Sequence, residues 1–143
     1  MFILDTNVLS ELMRDEPDAR VLGWVAGQRV DLLFTTAVSE AEVLSGLAFM
    51  ATGRRRQMLE AAARGMFLDD FAGRVLPFDT AAAEAYAEIF AGRRQMGRPI
   101  SGADLMIASI ARARDGVVVT RDLGGFAECG VAVVDPWISQ QSS

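Results

Sequence analysis

Met1-Phe2-Ile3-Leu4-Asp5-Thr6-Asn7-Val8-Leu9-Ser10 is the stretch on which the reading of the whole chain turns. Three apolar residues lead into Asp-Thr-Asn, and an amphipathic stretch follows at once. That order predicts a short buried strand, a tight turn and the start of a helix. In an open α/β sheet, ligands bind beyond the carboxyl ends of the strands. An acid at that place, beside a Thr hydroxyl and an Asn amide, suits a metal ion or a phosphate-bearing substrate. The same residues also suit an Asx-turn, in which Asp5 or Asn7 bonds the backbone ahead of a helix. These ten residues leave both readings open.

Outward from this stretch, short apolar runs alternate with helical patterns. Leu9 to Arg14 reads as a helical turn, and Pro17 suits the first turn of a helix to about Gln28 that buries Val21, Leu22, Trp24 and Val25. Leu32 to Thr35 is the second strand. Ser39 opens a helix through about Met50, and Arg54 to Phe71 forms the next, with Met58, Leu59, Ala62 and Met66 inward. The Arg54-Arg55-Arg56 run reads as a solvated helix start. Val75-Leu76 with Phe78 makes a third strand, and Asp79 caps a helix to about Met96. After the Gly97-Arg98-Pro99 loop, Ser101 opens a helix to about Arg114. Val117 to Val119 and Val131 to Val134 are the last two strands. Strands alternating with helices mean an α/β fold, a parallel sheet covered on both faces. Gly124-Gly125 reads as turn chemistry.

The chain has 143 residues, one domain over 1–138 with a short C-terminal tail at 139–143. Its hydrophobic fraction is 51% and its mean hydropathy is +0.23. No apolar run approaches the ~18 residues of a membrane span. Asp5 interrupts the N-terminal run before an h-region forms, so no secretory signal is expected. So much apolar character in a small domain points to a surface buried against another chain.

Absent residue types exclude whole classes of chemistry. With no His there is no Ser-His-Asp triad and no His-containing zinc site. Cys129 is the single Cys, which excludes intramolecular disulfides and thiolate clusters and fits a reducing cytoplasm. All 14 basic residues are Arg, so a P-loop with its Gly-Lys pair is excluded, as is Schiff-base chemistry. Haloacid-dehalogenase-like phosphatases and response-regulator receivers also need a Lys. Carboxylates remain, with Arg for phosphate; hard oxygen ligands point to Mg²⁺ or Mn²⁺. The net charge of −5 and pI near 4.7 are unusual for a general nucleic-acid binder. A nuclease is still compatible if a metal neutralises its site, and the sign also suits a basic protein partner.

Four acids fall at the carboxyl ends of the expected strands. Asp5 follows the first, Glu42 lies in the first turn after the second, Asp104 opens the helix before the fourth, and Asp122 lies just past the fourth. Each has a local alternative. Ser39-x-x-Glu42 and Ser101-x-x-Asp104 both match a capping box, and Asp122 suits a turn cap. Taken together, four acids on one edge repel one another unless a cation sits among them. A divalent ion there can lower the pKa of a water and polarise a phosphate oxygen without any side-chain base.

Asp-Thr-Asn-Val at 5–8, Ala41-Glu42-Val43, Ala103-Asp104-x-x-Ile107-Ala108 and Thr120-Arg121-Asp122 together resemble a PIN-domain ribonuclease. Within that superfamily the chain is similar to VapC toxins of bacterial toxin–antitoxin pairs, most of all the FitB-like branch. Phe78-Asp79, the Tyr86 helix and Pro136-Trp137 add to the likeness, which runs from about residue 2 to 138. Val43, where the family often has Leu, is a mild departure.

The resemblance implies a three-layer α/β/α fold with strand order 3-2-1-4-5 and a cytoplasmic Mg²⁺- or Mn²⁺-dependent endoribonuclease. It places Asp5, Glu42 and Asp104 at a metal site completed by Asp122, with Thr6, Asn7 and Thr120 orienting those carboxylates. Arg121, Arg98 and Arg94 are candidate contacts to RNA phosphates, as is Arg93. Implied partners are a structured RNA substrate such as tRNA, a second copy of the chain, and a VapB/FitA-like antitoxin through which operator DNA is bound. The alternative function is a non-catalytic dimerising partner of a DNA-binding antitoxin. A DNA-flap nuclease, the third reading, would need arch and DNA-gripping elements for which this chain has little room.

Overall fold

The computed structural model describes residues 1–100 and 102–138. Five parallel strands form one sheet: β1 (Phe2–Leu4), β2 (Leu33–Thr36), β3 (Val75–Leu76), β4 (Val117–Val119) and β5 (Ala132–Val134). Their order across the sheet is β3-β2-β1-β4-β5, the order expected. β1 is central, with Phe2 opposite Leu33 on one side and Val117 on the other. A strand paired on both edges and covered on both faces must be apolar throughout, and Ile3 and Leu4 are fully buried.

Among the described residues six α-helices flank the sheet: α1 (Thr6–Leu12), α2 (Ala19–Ala26), α3 (Ala37–Phe49), α4 (Arg54–Gly65), α5 (Thr80–Gln95) and α6 (Gly102–Ala113). Two cores result, one on each side. Leu4, Val8, Leu9, Val21, Trp24, Leu47, Phe67, Phe71 and Trp137 belong to the first. Ile3, Leu76, Ile89, Leu105, Ile107, Ile110, Val118 and Phe126 belong to the second.

Several local expectations shift. α1 starts at Thr6 because Asp5 caps it, accepting from the Val8 amide at 3.1 Å. Asp18, one residue past Pro17, caps α2 through the Arg20 amide at 2.8 Å. On that helix Val21 and Trp24 are buried, but Leu22 is exposed. α4 passes into a π turn at Met66–Asp70. Leu59, Ala63, Met66 and Phe67, at one-face helical spacing, turn toward the core, while Met58 is 63% exposed and Ala62 is exposed too. β3 stops before Phe78 because Pro77 has no amide to continue the ladder.

α3 begins two residues before Ser39. Thr36 is its cap and accepts from the Ser39 amide at 3.1 Å. The capping box expected at Ser39-x-x-Glu42 does not form: its amide is taken by Thr36, and Glu42 lies in the second turn. The corresponding box at Ser101, and the tail at 139–143, lie outside the described residues. Asp79 caps α5 as expected, at 3.0 Å from the Ala82 amide. Among the described residues no helix is long and apolar enough to cross a membrane.

Candidate functional site

Asp5 sits where β1 ends, its amide bonded to the Val119 carbonyl at 3.0 Å. Its carboxyl serves as a helix cap, so the local Asx role is realised, yet it is only 3% exposed. Burial pushes its pKa up to about 6, and the nearby charge of Asp104 adds to this. Hydrogen bonds from the Thr120 hydroxyl and the Val8 amide pull the other way. Capping alone does not require a carboxylate to be buried beside a second one. A neutral Asn or Ser caps equally well.

α6 brings Asp104 to the same place, half-buried in the first helical turn. Thr120, fully buried at the end of β4, joins this pair to the following loop. Its hydroxyl donates to Asp5 and accepts the Asp122 amide at 3.0 Å. Asp122 itself is exposed and turned onto its own loop, where Oδ1 accepts the Gly125 amide at 2.9 Å. A Cβ at Gly125 would stand 2.7 Å from the Asp122 Cγ, so a larger residue there must turn the carboxylate out of this bond.

Glu42 reaches the site from α3. Its Oε1 accepts the Thr6 hydroxyl at 2.5 Å, and Thr6 Oγ1 lies 3.1 Å from Ser39 Oγ. Asn7 is exposed beside them on α1. Among the described residues, Asp5, Glu42 and Asp122 form no ion pair with an Arg. Nor do three acids close into a ready-made cage there. Asp5 and Asp104 are electrostatically coupled, whereas Glu42 and Asp122 are each engaged by a neighbour.

The Arg candidates divide by environment. Arg121 lies over the Trp137 ring, 4.9 Å from its centroid. Arg94 lies over Phe90 at 5.5 Å, and Arg98 approaches Glu128 at 4.0 Å. All three are exposed. Arg93 is different: only 6% exposed, it donates from Nε to the Arg98 carbonyl at 2.6 Å and from Nη1 to the Ala127 carbonyl. The placement of Arg93 beside the other candidates is thereby corrected, because its cationic head is spent on backbone. It ties the loop entering α6 to the loop carrying Asp122.

Sequence reasoning missed Arg93 in this role, and also Thr36 and Ser39. A Schellman ending of α5 supplied a signal for the first. Gly97 adopts φ +68°, its amide bonds Arg94 O at 3.0 Å, and the Arg98 amide bonds Arg93 O at 2.9 Å. The fold thus folds the 97–98 backbone over Arg93. Cys129 is buried, and burial pushes its thiol up, away from thiolate chemistry.

The PIN-domain family model matches residues 2–130. This chain belongs to the PIN-domain family. Among curated relatives, this PIN domain is 42% identical to a VapC ribonuclease, Y4jK, of Sinorhizobium fredii, over 96% of this chain and 98% of that one. It is 37% identical to toxin FitB of Neisseria gonorrhoeae, over 96% and 99%. Among solved structures, a FitAB complex bound to an IR36 DNA fragment contains a chain that superposes with TM-score 0.92 at 36% identity, covering all of both chains. Fold order and family therefore agree with the resemblance read from the sequence.

Proposed function

We propose that this PIN domain is the toxin of a toxin–antitoxin pair, an Mg²⁺- or Mn²⁺-dependent endoribonuclease that hydrolyses RNA phosphodiester bonds. The observation that carries the reading is Asp5: a buried carboxyl at the end of the central strand, coupled to Asp104, with no Arg ion pair among the described residues. Such a pair is costly unless a cation joins it. Mg²⁺ usually keeps several waters and needs only one or two carboxylates, so Asp5 and Asp104 suit it. Glu42 and Asp122 would complete the set, directly or through water.

When bound, the cation supplies charge neutralisation and polarisation of the phosphodiester and of water. The chain's own residues do the rest. Thr120 and the Val8 amide hold the Asp5 carboxyl in one orientation, and Thr6 holds Glu42. Arg94, Arg98 and Arg121 offer exposed guanidinium groups that can meet phosphates without being withdrawn from a buried ion pair. The tRNA class is our choice of substrate, in keeping with an acidic chain that grips RNA by local Arg groups.

The net charge of −5 favours a basic antitoxin segment over the acidic rim. Apolar residues in solvent, above all Phe49 at 95% exposure on α3, favour a second copy or the antitoxin on this face. A cytoplasmic place accords with the single reduced Cys. A second reading has its own support, the FitAB relative bound to an IR36 DNA fragment: a non-catalytic partner that dimerises a DNA-binding antitoxin.

Purified protein incubated with a total tRNA pool separates the two. Discrete fragments that need Mg²⁺ or Mn²⁺, vanish with EDTA and vanish in Asp5→Asn are expected of the nuclease. Intact RNA throughout, with operator affinity of the antitoxin complex unaltered by Asp5→Asn, would establish the scaffold instead.

A further inference from the structure

Ser39 is a fully buried serine inside a helix. Deeper in a helix, a serine commonly returns its hydroxyl to the carbonyl four residues back, a place that for Ser39, in the first turn of α3, falls at Thr35 in β2. Ser109 on α6 does so, donating to Leu105 O at 2.6 Å. Ser39 instead lies 3.1 Å from Thr6 Oγ1 and 3.4 Å from Thr36 Oγ1. Those two hydroxyls come from different elements, the start of α1 and the end of β2.

Proton counting gives the chain a direction. An ionised Glu42 has no proton to share, so at 2.5 Å the Thr6 hydroxyl gives its own to Glu42. Thr6 has no other hydroxyl proton, and the hydrogen between Thr6 and Ser39 must belong to Ser39. Ser39 is then an acceptor toward Thr36, whose oxygen in turn accepts the Ser39 amide at 3.1 Å. Every hydroxyl proton therefore points the same way: Thr36 to Ser39 to Thr6 to Glu42. Hydrogen bonds aligned in one direction polarise one another, and the last donor presents a stronger, better-fixed proton to the carboxylate.

We infer that Ser39 is a positioning residue which fixes the Glu42 carboxylate through the Thr6 hydroxyl and thereby sets the site's affinity for a divalent cation. This rests on the metal-centre reading proposed above. Ser39 touches no reacting atom. Its effect is to deny Thr6 any other use of its proton, so that Glu42 keeps one rotamer. The 3.4 Å link makes Thr36 the weaker contributor, and its main duty is the helix cap.

The test is Mn²⁺ binding to the full chain, read from the electron paramagnetic resonance of free aqueous Mn²⁺, with melting temperature measured beside it. Partners behind metal ligands commonly contribute about 10–100-fold in affinity. Ser39→Ala is expected to weaken binding about 10-fold with little change in melting, and Thr6→Val to do the same. Because both act on one bond, the double variant should be no weaker than Thr6→Val alone. Ser39→Cys, which keeps the size and a poorer donor, should fall between wild type and Ser39→Ala. Wild-type affinity in Ser39→Ala, or losses that multiply in the double variant, would overturn the relay while leaving the metal centre intact. No Mn²⁺ binding by the wild type would overturn the metal-centre reading itself, and the relay with it.

Discussion

The Thr120 hydroxyl donates to the buried Asp5 carboxyl while accepting the Asp122 amide at 3.0 Å. One side chain thus joins the acid after the central strand to the loop after its neighbour. Asp5 is nonetheless held up to about 6 from an ordinary 3.8, because burial outweighs that hydrogen bond.

Stability of the metal-free protein should accordingly fall as pH rises from about 4 to about 6. Over that window folded Asp5 keeps a proton that the unfolded chain has released, so the folded state binds more protons. The shift from 3.8 to about 6 corresponds to at most about 3 kcal/mol, at roughly 1.4 kcal/mol per pH unit. Asp5→Asn keeps an oxygen for the Val8 amide and removes the charge. Urea denaturation should find it more stable than wild type at pH 7, with the gap closing toward pH 4. A gap that widens toward low pH would mean that Asp5 is stabilised as an anion.

Asp104→Asn should lower the pKa of Asp5, since the Asp104 charge is one of the causes that raise it. Carboxyl carbon shifts followed through a pH titration of metal-free protein would show this. An unmoved Asp5 would separate the two acids.

Arg93→Met should cost about 2–4 kcal/mol in urea denaturation, as two carbonyls lose a charge-assisted donor in a buried place. Hydrogen exchange should quicken at 97–100 and 124–130 before the sheet loosens. Equal acceleration across the whole chain would mean that Arg93 supports the core and not the two loops.

Gly125→Ala and Gly124→Ala make a matched pair. An added Cβ at Gly125 meets the Asp122 Cγ at 2.7 Å, whereas at Gly124 the nearest atom is 4.0 Å away. The first should destabilise by about 1–3 kcal/mol and lower nuclease activity. The second should leave both near wild type. Matching losses in the pair would show that chain flexibility, not the Asp122 turn, is what the glycines provide.

Thr36→Val should remove about 1 kcal/mol as a lost helix cap, while Glu42→Gln should stay within about 0.5 kcal/mol of wild type. Glu42 is exposed and caps nothing. A large loss in Glu42→Gln would restore the capping-box reading that the structure sets aside.

Much of the fold was legible because its signals are local. The apolar runs at 2–4 and 117–119 read as strands buried on both faces, and both sit inside the sheet. Asp79 reads as a cap from its immediate neighbours, and it is one. Ser39 misled for the same reason. Ser-x-x-Glu satisfies the local pattern of a cap, but Thr36 stands three residues earlier at the end of β2 and takes the Ser39 amide first.

The sequence by itself determined the residue types that can do chemistry here: no His, no Lys, acids at strand ends, and Arg as the only cation. That was enough to make oxygen-ligand metal chemistry the expected class and to place Asp5 at the end of β1. Only tertiary structure decided which partners those groups meet. Arg93 turns inward onto two carbonyls, Arg121 rests on Trp137, and Ser39 joins a hydroxyl chain across 33 residues of sequence. The physical reason is that propensity and periodicity act over a few residues. A hydrogen bond or a desolvated carboxyl depends on atoms brought together by packing, whatever their separation in the chain.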